Sequence, residues 1–255
     1  GYIRCYEQEA VQCFTEWRKN AGWLKDVPIY CIALTKNTIS QETKDIFKEL
    51  NVNYIEKFYP ETELYQNGYW NIPLSGKYFE EELKEDILIK IDLDMYLIKE
   101  LSKEMFNIER GTTTVGRYDP LSAKHNTNKL TFPERYGQPW DTGLVITHRA
   151  TGFFGKFYNK LKQITSEFED GTFESLYGLH IKEHDNDHGV DYGAIEEFAV
   201  SIMYTDEDAK LIPQFKYNLG EFYAPIDIYT DEEVQEIYFF HEHIPLQEIG
   251  YDTFK

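Results

Sequence analysis

The sequence predicts an α/β fold, a mixed and mostly parallel sheet flanked by helices, and two observations carry that expectation. Over the first hundred residues, apolar runs of strand length alternate with amphipathic stretches of helical length. The chain has 255 residues, 42% of them hydrophobic, with 20 Tyr, 17 Phe and 4 Trp, so it can enclose a substantial core as one domain.

Taken in order, the stretch from Glu7 to Asn20 places Ala10, Val11, Phe14 and Trp17 at helical spacing. VPIYCIAL (27–34) is a continuous apolar run of strand length, closed by a polar turn. Ser40 then offers a hydroxyl that can accept from a first-turn amide, which predicts a capped helix through about Leu50. VNYIEKF (52–58) alternates as a short strand, and the polar, aromatic stretch to about Asn71 reads as a loop. SGKYFEEELKE (75–85) reads as a helix and ILIKIDLDMYL (87–97) as the most strand-like run of the chain. Strand, helix, strand, helix, strand predicts a parallel, doubly wound sheet, which binds ligands beyond the carboxyl ends of its strands. TTTVGRY (112–118) and GLVITHR (143–149) are further strands, and FFGKFYNKLKQITSEF (153–168) is a helix with Phe154, Phe157 and Leu161 on one face. A second helix covers about 194–204, and EIYFFHEH (236–243) is a late strand.

Basic residues number 26 and acidic residues 45, a net charge of −19 at pH 7. Nucleic acid and anionic membrane surfaces repel such a chain, which disfavours them as main partners and leaves room for a local basic pocket. Cys5, Cys13 and Cys31 are odd in number and show no CxxC spacing. That argues against a disulfide framework or a zinc knuckle and for a reducing, cytoplasmic compartment. No apolar run approaches the roughly 18 residues of a membrane span. A lumenal catalytic domain with its anchor removed is the alternative location.

The run 87–97 carries two carboxylates at its end. Read as one strand, it puts Lys90, Asp92 and Asp94 on one face and Ile89, Ile91, Leu93 and Met95 on the other. The two aspartates then stand about 6–7 Å apart and repel each other. Partial burial of ionised carboxylates is costly unless they are paired or bound to a metal. Mg2+ or Mn2+ answers both problems, since these ions favour carboxylate oxygens and complete their shells with phosphate and water. The plain alternative is a solvent-facing strand end in which Lys90 offsets one charge.

In this setting the stretch resembles the DxD motif of GT-A-fold glycosyltransferases, an apolar strand ending in D-x-D with an apolar segment following. VPIYCIAL with its capped helix is similar to that family's second strand and helix. WDTGLVI (140–146) is similar to its sugar-pocket segment, DYGAIEEFAVSIMY (191–204) to the helix whose acidic start faces the acceptor, and HEH (241–243) to the position of a metal-binding histidine. The resemblance implies a single GT-A-like, Rossmann-related domain over 1–255, with a nucleotide-sugar-binding half (1–110) and an acceptor-binding half (111–255). It implies a hexosyl- or pentosyltransferase that uses a nucleotide-diphosphate sugar, UDP-sugar first, and Mn2+ or Mg2+. The acceptor would be a hydroxyl of a glycan or glycoprotein. Asp92 would lie by the ribose and metal, and Asp94 would ligate the metal.

Three further groups of residues are candidates. Glu196 and Glu197 fall in the first turn of a helix, where acids also favour the helix dipole. By the resemblance, one of them, or Asp191 just upstream, takes the acceptor's proton in an inverting transfer; in a retaining enzyme these acids would bind sugar hydroxyls. His241 and His243 alternate onto one strand face, and a neutral imidazole can complete a metal shell. Asp141, ahead of Thr142 and Gly143, is a candidate for donor-sugar hydroxyls, weighed against an ordinary turn aspartate. For the diphosphate, Lys90, Arg117, Lys124 and Arg149 are available, and no spacing singles one out. His180, His184 and His188 recur every fourth residue, but Asp185, Asn186, Asp187 and Gly189 among them favour a polar loop over a helical zinc site.

The competing functions are distinguishable. A sugar-nucleotide pyrophosphorylase needs a glycine-rich basic loop that residues 1–20 lack. A metal-dependent hydrolase rests on the histidine series. A non-catalytic carbohydrate-binding protein would use the aromatics for stacking, but it leaves Asp92 and Asp94 without a reason.

Overall fold

A computed structural model describes residues 2–34, 36, 38–60, 70–108, 113–117, 140–178, 195–203, 209–213, 235 and 237–241. In chain order its elements are α1 (Tyr2–Asn20), β1 (Ile29–Ala33), α2 (Gln41–Glu49), β2 (Val52–Glu56), α3 (Asn71–Glu82), β3 (Ile87–Ile91), β4 (Met95–Leu97), β5 (Thr113–Arg117), β6 (Trp140–His148), α4 (Phe153–Glu169), α5 (Phe173–Tyr177), α6 (Ile195–Met203), β7 (Ala209–Pro213) and β8 (Phe239–His241). The chain folds into two compact units that interleave along the sequence. One comprises Gly1–Pro60, Ile91–Glu104 and Phe215–Lys255, the other Glu61–Lys90 and Met105–Gln214.

In the first unit, β1 and β2 pair in parallel from Ile29↔Val52 to Ala33↔Glu56. The ladder continues past the strands, with Lys57 N donating to Ala33 O and Tyr59 N to Leu34 O. Of the residues read at helical spacing in α1, Ala10, Phe14 and Trp17 are buried and Val11 packs half-buried against the core, with Cys13 buried beside them. Ala10, Cys13 and Phe14 join Phe47, Val52, Tyr96 and Ile237 in one core, where the Phe14 and Phe47 rings meet edge to face at 5.3 Å. Ser40 caps α2 as expected, its hydroxyl accepting from Thr43 N at 3.2 Å. Glu7 of α1 reinforces the cap by accepting from Ser40 N and Ser40 Oγ. At the other end Asn51 takes the left-handed conformation (φ 53°), which asparagine tolerates at a helix terminus. The Arg18 guanidinium gathers the carbonyls of Leu50, Asn51, Val27 and Lys25.

In the second unit the sheet order is β3-β6-β5-β7. β5 runs antiparallel to β6 and parallel to β7, and in the first unit β4 runs antiparallel to β8. The described strands therefore form three sheets, of which the largest is mixed, and β3 pairs with β6 where the sequence reading expected it to continue one parallel sheet with β1 and β2. The late strand read over 236–243 is described as β8 alone, with Glu242 and His243 outside the described residues.

Helix α3 starts at Asn71, earlier than the Ser75 of the sequence reading, because Pro73 is tolerated in a first helical turn. It packs on α4 through Gly76, where a Cβ would sit 2.2 Å from ring atoms of Phe154. The apolar face of α4 is the one expected, with Phe153, Phe154, Phe157, Leu161 and Ile164 buried. Gly152 at the start of α4 (φ 64°) has no side chain to cap it. Glu80 of α3 does so instead, accepting from Phe154 N and Gly155 N at 2.9 Å each.

Burial raises the Glu80 carboxyl above its ordinary value of 4.5, outweighing those two amide bonds and Lys156, which lower it. The folded state then holds this proton more tightly than the unfolded chain. The resulting stabilisation is full below the unfolded value and is lost as pH rises through the folded one. Wild type is expected to lose stability relative to Glu80→Gln as pH rises from about 4.5, until Glu80 is ionised. Urea unfolding of both proteins from acid to neutral pH measures the difference; a pH-independent gap would contradict the assignment.

No helix among the described residues is long and apolar enough to cross a membrane.

Candidate functional site

The aspartate pair sits in a turn. β3 ends at Ile91, and Met95 N donates to Asp92 O at 3.2 Å, closing a turn through Leu93 and Asp94 before β4 begins. The expectation of one strand over 87–97, with Lys90, Asp92 and Asp94 on a common face, is corrected. Alternation lapses at the turn because β3 and β4 take different partners, β6 and β8. The pair still lies at the carboxyl end of an apolar strand. Asp92, Leu93 and Asp94 are all half-buried, and Leu93 packs on the core beside Cys13.

Beneath the turn lies a thiol that the sequence reading passed over. Cys13 of α1 is fully buried and donates weakly to Asp92 O at 3.9 Å. Burial first, then Asp94, Cys31 and Asp92, push the Cys13 thiol well above its usual value. Burial alone pushes Cys31 up to about 12. Both cysteines are therefore neutral thiols at physiological pH and unsuited to nucleophilic work. In the sequence Cys13 is one of three cysteines without CxxC spacing, and nothing ties it to Asp92 and Asp94.

The register of β4 with β8 places His241 opposite Met95, the residue that follows Asp94. The backbone of His241 is thus adjacent to the residue that closes the aspartate turn. His243 lies outside the described residues. Among the described residues no three or more His, Cys, Asp or Glu form a group that could hold a metal ion.

The second unit assembles other candidates. Asp141 is the second residue of β6, and between Val115↔Val145 and Gly116↔Asp141 the register shifts. One step along β5 corresponds to four along β6, so Thr142, Gly143 and Leu144 bulge out of the β5 register. Lys90 of β3 donates its ammonium to the carbonyl of Thr142 at 2.6 Å. Helix α6 packs against β6 and α4 and carries Glu196 in its first turn, a carboxylate only 6% exposed among Ile195, Phe198 and Ala199. For Asp141, Glu197 and Arg117 the backbone alone is described, and Asp191, Lys124, His180, His184 and His188 lie outside the described residues. Arg149, also a candidate for phosphate, holds the chain ahead of β3, its amide donating to Asp86 O and its guanidinium to Glu85 O.

No protein-family model matches the chain, and no curated protein matches its sequence. Solved structures do. The fold is similar to the apo structure of the bifunctional glycosyltransferase WbbM, with a TM-score of 0.51 at 11% identity over 94% of this chain and 44% of that one. Apo mouse xyloside xylosyltransferase 1 gives a TM-score of 0.49 at 13% identity, over 93% of this chain and 92% of that one. The glycosyltransferase GlyE of Streptococcus pneumoniae TIGR4 gives 0.46 at 15% identity, over 83% and 43%. All three neighbours are glycosyltransferases. At these identities the likeness is one of fold, and the WbbM superposition carries it. The chain spans less than half the length of the WbbM and GlyE chains.

Proposed function

We propose that the chain is a metal-dependent glycosyltransferase that moves a sugar from a nucleotide-diphosphate sugar, UDP-sugar first, to a hydroxyl of a glycan or protein-linked acceptor. The observation that carries this reading is the half-buried Asp92–Asp94 turn at the carboxyl end of β3, with the backbone of His241 in register beside it. Ligands bind beyond the carboxyl ends of strands in such sheets. The donor set fits Mn2+ or Mg2+: two hard carboxylate oxygens, offered by neighbouring residues of one turn, with phosphate and water left to complete the shell. Asp92 and Asp94 would hold the ion, with His241 or His243 as a further ligand. When bound, the ion would neutralise charge on the departing nucleoside diphosphate.

The remaining roles belong to the chain's own side chains. Asp141 would hold donor-sugar hydroxyls at the start of β6. A carboxylate at the start of α6, Glu196 or Glu197, or Asp191 before it, would take the acceptor hydroxyl's proton in an inverting transfer. The helix N-terminus favours a negative charge there before the proton arrives.

A thermal-shift panel of UDP, GDP, CDP and dTDP, each with and without Mn2+, tests the reading. A ligand at one hundred times its dissociation constant adds about 2.7 kcal/mol to native stability. The expected result is a shift that needs both one nucleotide and the metal. A folded protein that responds to no nucleotide would overturn the reading.

A further inference from the structure

We propose that Lys90 is a positioning residue for the donor-sugar pocket, acting through the backbone of β6 and not as a ligand of the diphosphate. The inference rests on the transferase reading above, but the bond that motivates it stands independently. The three residues that bulge from the β5 register, Thr142, Gly143 and Leu144, are all buried. These residues have lost register with β5, and a buried carbonyl there is held by whatever donor reaches it. Lys90 supplies it at 2.6 Å from the neighbouring strand. A bond from an ionised donor is short and strong, and it fixes geometry accordingly.

The bulge begins immediately after Asp141. Bulges bend their strand and re-aim the side chains beside them. A tie at Thr142 O therefore sets the course of the backbone that carries Asp141 and Gly143, the segment proposed to face the sugar. Lysine suits this position because an ammonium has three donors and no acceptor. A methionine of similar length would leave the carbonyl without that bond, whereas an arginine retains a charged donor.

The test compares wild type, Lys90→Met and Lys90→Arg in the full chain. The probes are UDP, UDP-glucose, UDP-galactose and UDP-xylose, all with Mn2+. Lys90→Met is expected to bind UDP as wild type does, to lose the added affinity conferred by the sugar, and to fall roughly a hundredfold in kcat/KM. Lys90→Arg should recover most of both. Hydrogen exchange at the amides of 142–145 should rise in Lys90→Met and stay near wild type in Lys90→Arg, a readout independent of turnover. Weakened binding of UDP itself would overturn the proposal and return Lys90 to the diphosphate. Unchanged exchange and unchanged sugar preference in Lys90→Met would overturn it as well. If wild type binds none of the probes, the transferase reading and the sugar-pocket role fall together, and exchange alone still decides whether Lys90 holds the bulge.

Discussion

Asp94→Ala is expected to remove metal-dependent turnover while leaving the fold intact. Asp94 lies in a half-buried turn, and the apolar core beneath is made by Leu93, Cys13 and their neighbours, not by the carboxylate. Under the proposed function, losing one of two carboxylate ligands deprives the leaving diphosphate of its counter-charge. That interaction is worth several kcal/mol in the transition state, so kcat/KM should fall on the order of a thousandfold at about 1.4 kcal/mol per tenfold. Steady-state kinetics over a Mn2+ titration measures the loss. Asp94→Asn keeps the side-chain volume and separates charge from packing. Both variants should melt close to wild type without ligand, and both should lose the metal-dependent thermal shift. An Asp94→Ala protein that turns over with the wild-type metal dependence would remove the aspartate turn from the mechanism.

Gly76→Ala is expected to cost about 3 kcal/mol of stability, the upper end for forcing a methyl group into a packed core. The added Cβ would lie 2.2 Å from two ring carbons of Phe154, whose ring is fully buried where α3 meets α4. These are atoms near the root of the ring, so no small rotation relieves the clash, and α3 must move. Moving it also pulls Glu80 away from the two amides it caps. Chemical denaturation of Gly76→Ala, Phe154→Leu and the double variant tests the mechanism. The smaller leucine side chain in place of the Phe154 ring should absorb much of the cost, giving a coupling within about 0.5–3 kcal/mol. Strict additivity would mean that the two residues do not press on each other.

Much of the local structure was legible because its causes lie within a few residues. The Ser40 hydroxyl meets an amide three residues on, and the α1 and α4 stripes follow a 3.6-residue period whatever they pack against. Glu196 was placed in the first turn of its helix for the same reason. The turn at Asp92 was not legible. ILIKIDLDMYL keeps strand-like composition straight through it, and the break exists because Met95 pairs with His241, 146 residues away. Glu80 as a cap for α4 was equally hidden, since the helix it caps begins 73 residues later.

By itself the sequence determined the α/β class, the order and approximate limits of most helices and strands, and a net charge of −19 at pH 7. It also brought Asp92 and Asp94 to the carboxyl end of an apolar strand, the place that the proposed function gives to a metal and diphosphate. Tertiary structure alone decided which strands pair and in which direction, that the aspartates stand on a turn above the buried Cys13, and that Lys90 ties down the Thr142 bulge. Periodicity and capping are settled by bonds that close small loops of chain. Pairing and bulges are settled by backbone groups that find donors and acceptors in distant segments, and that choice leaves no local trace.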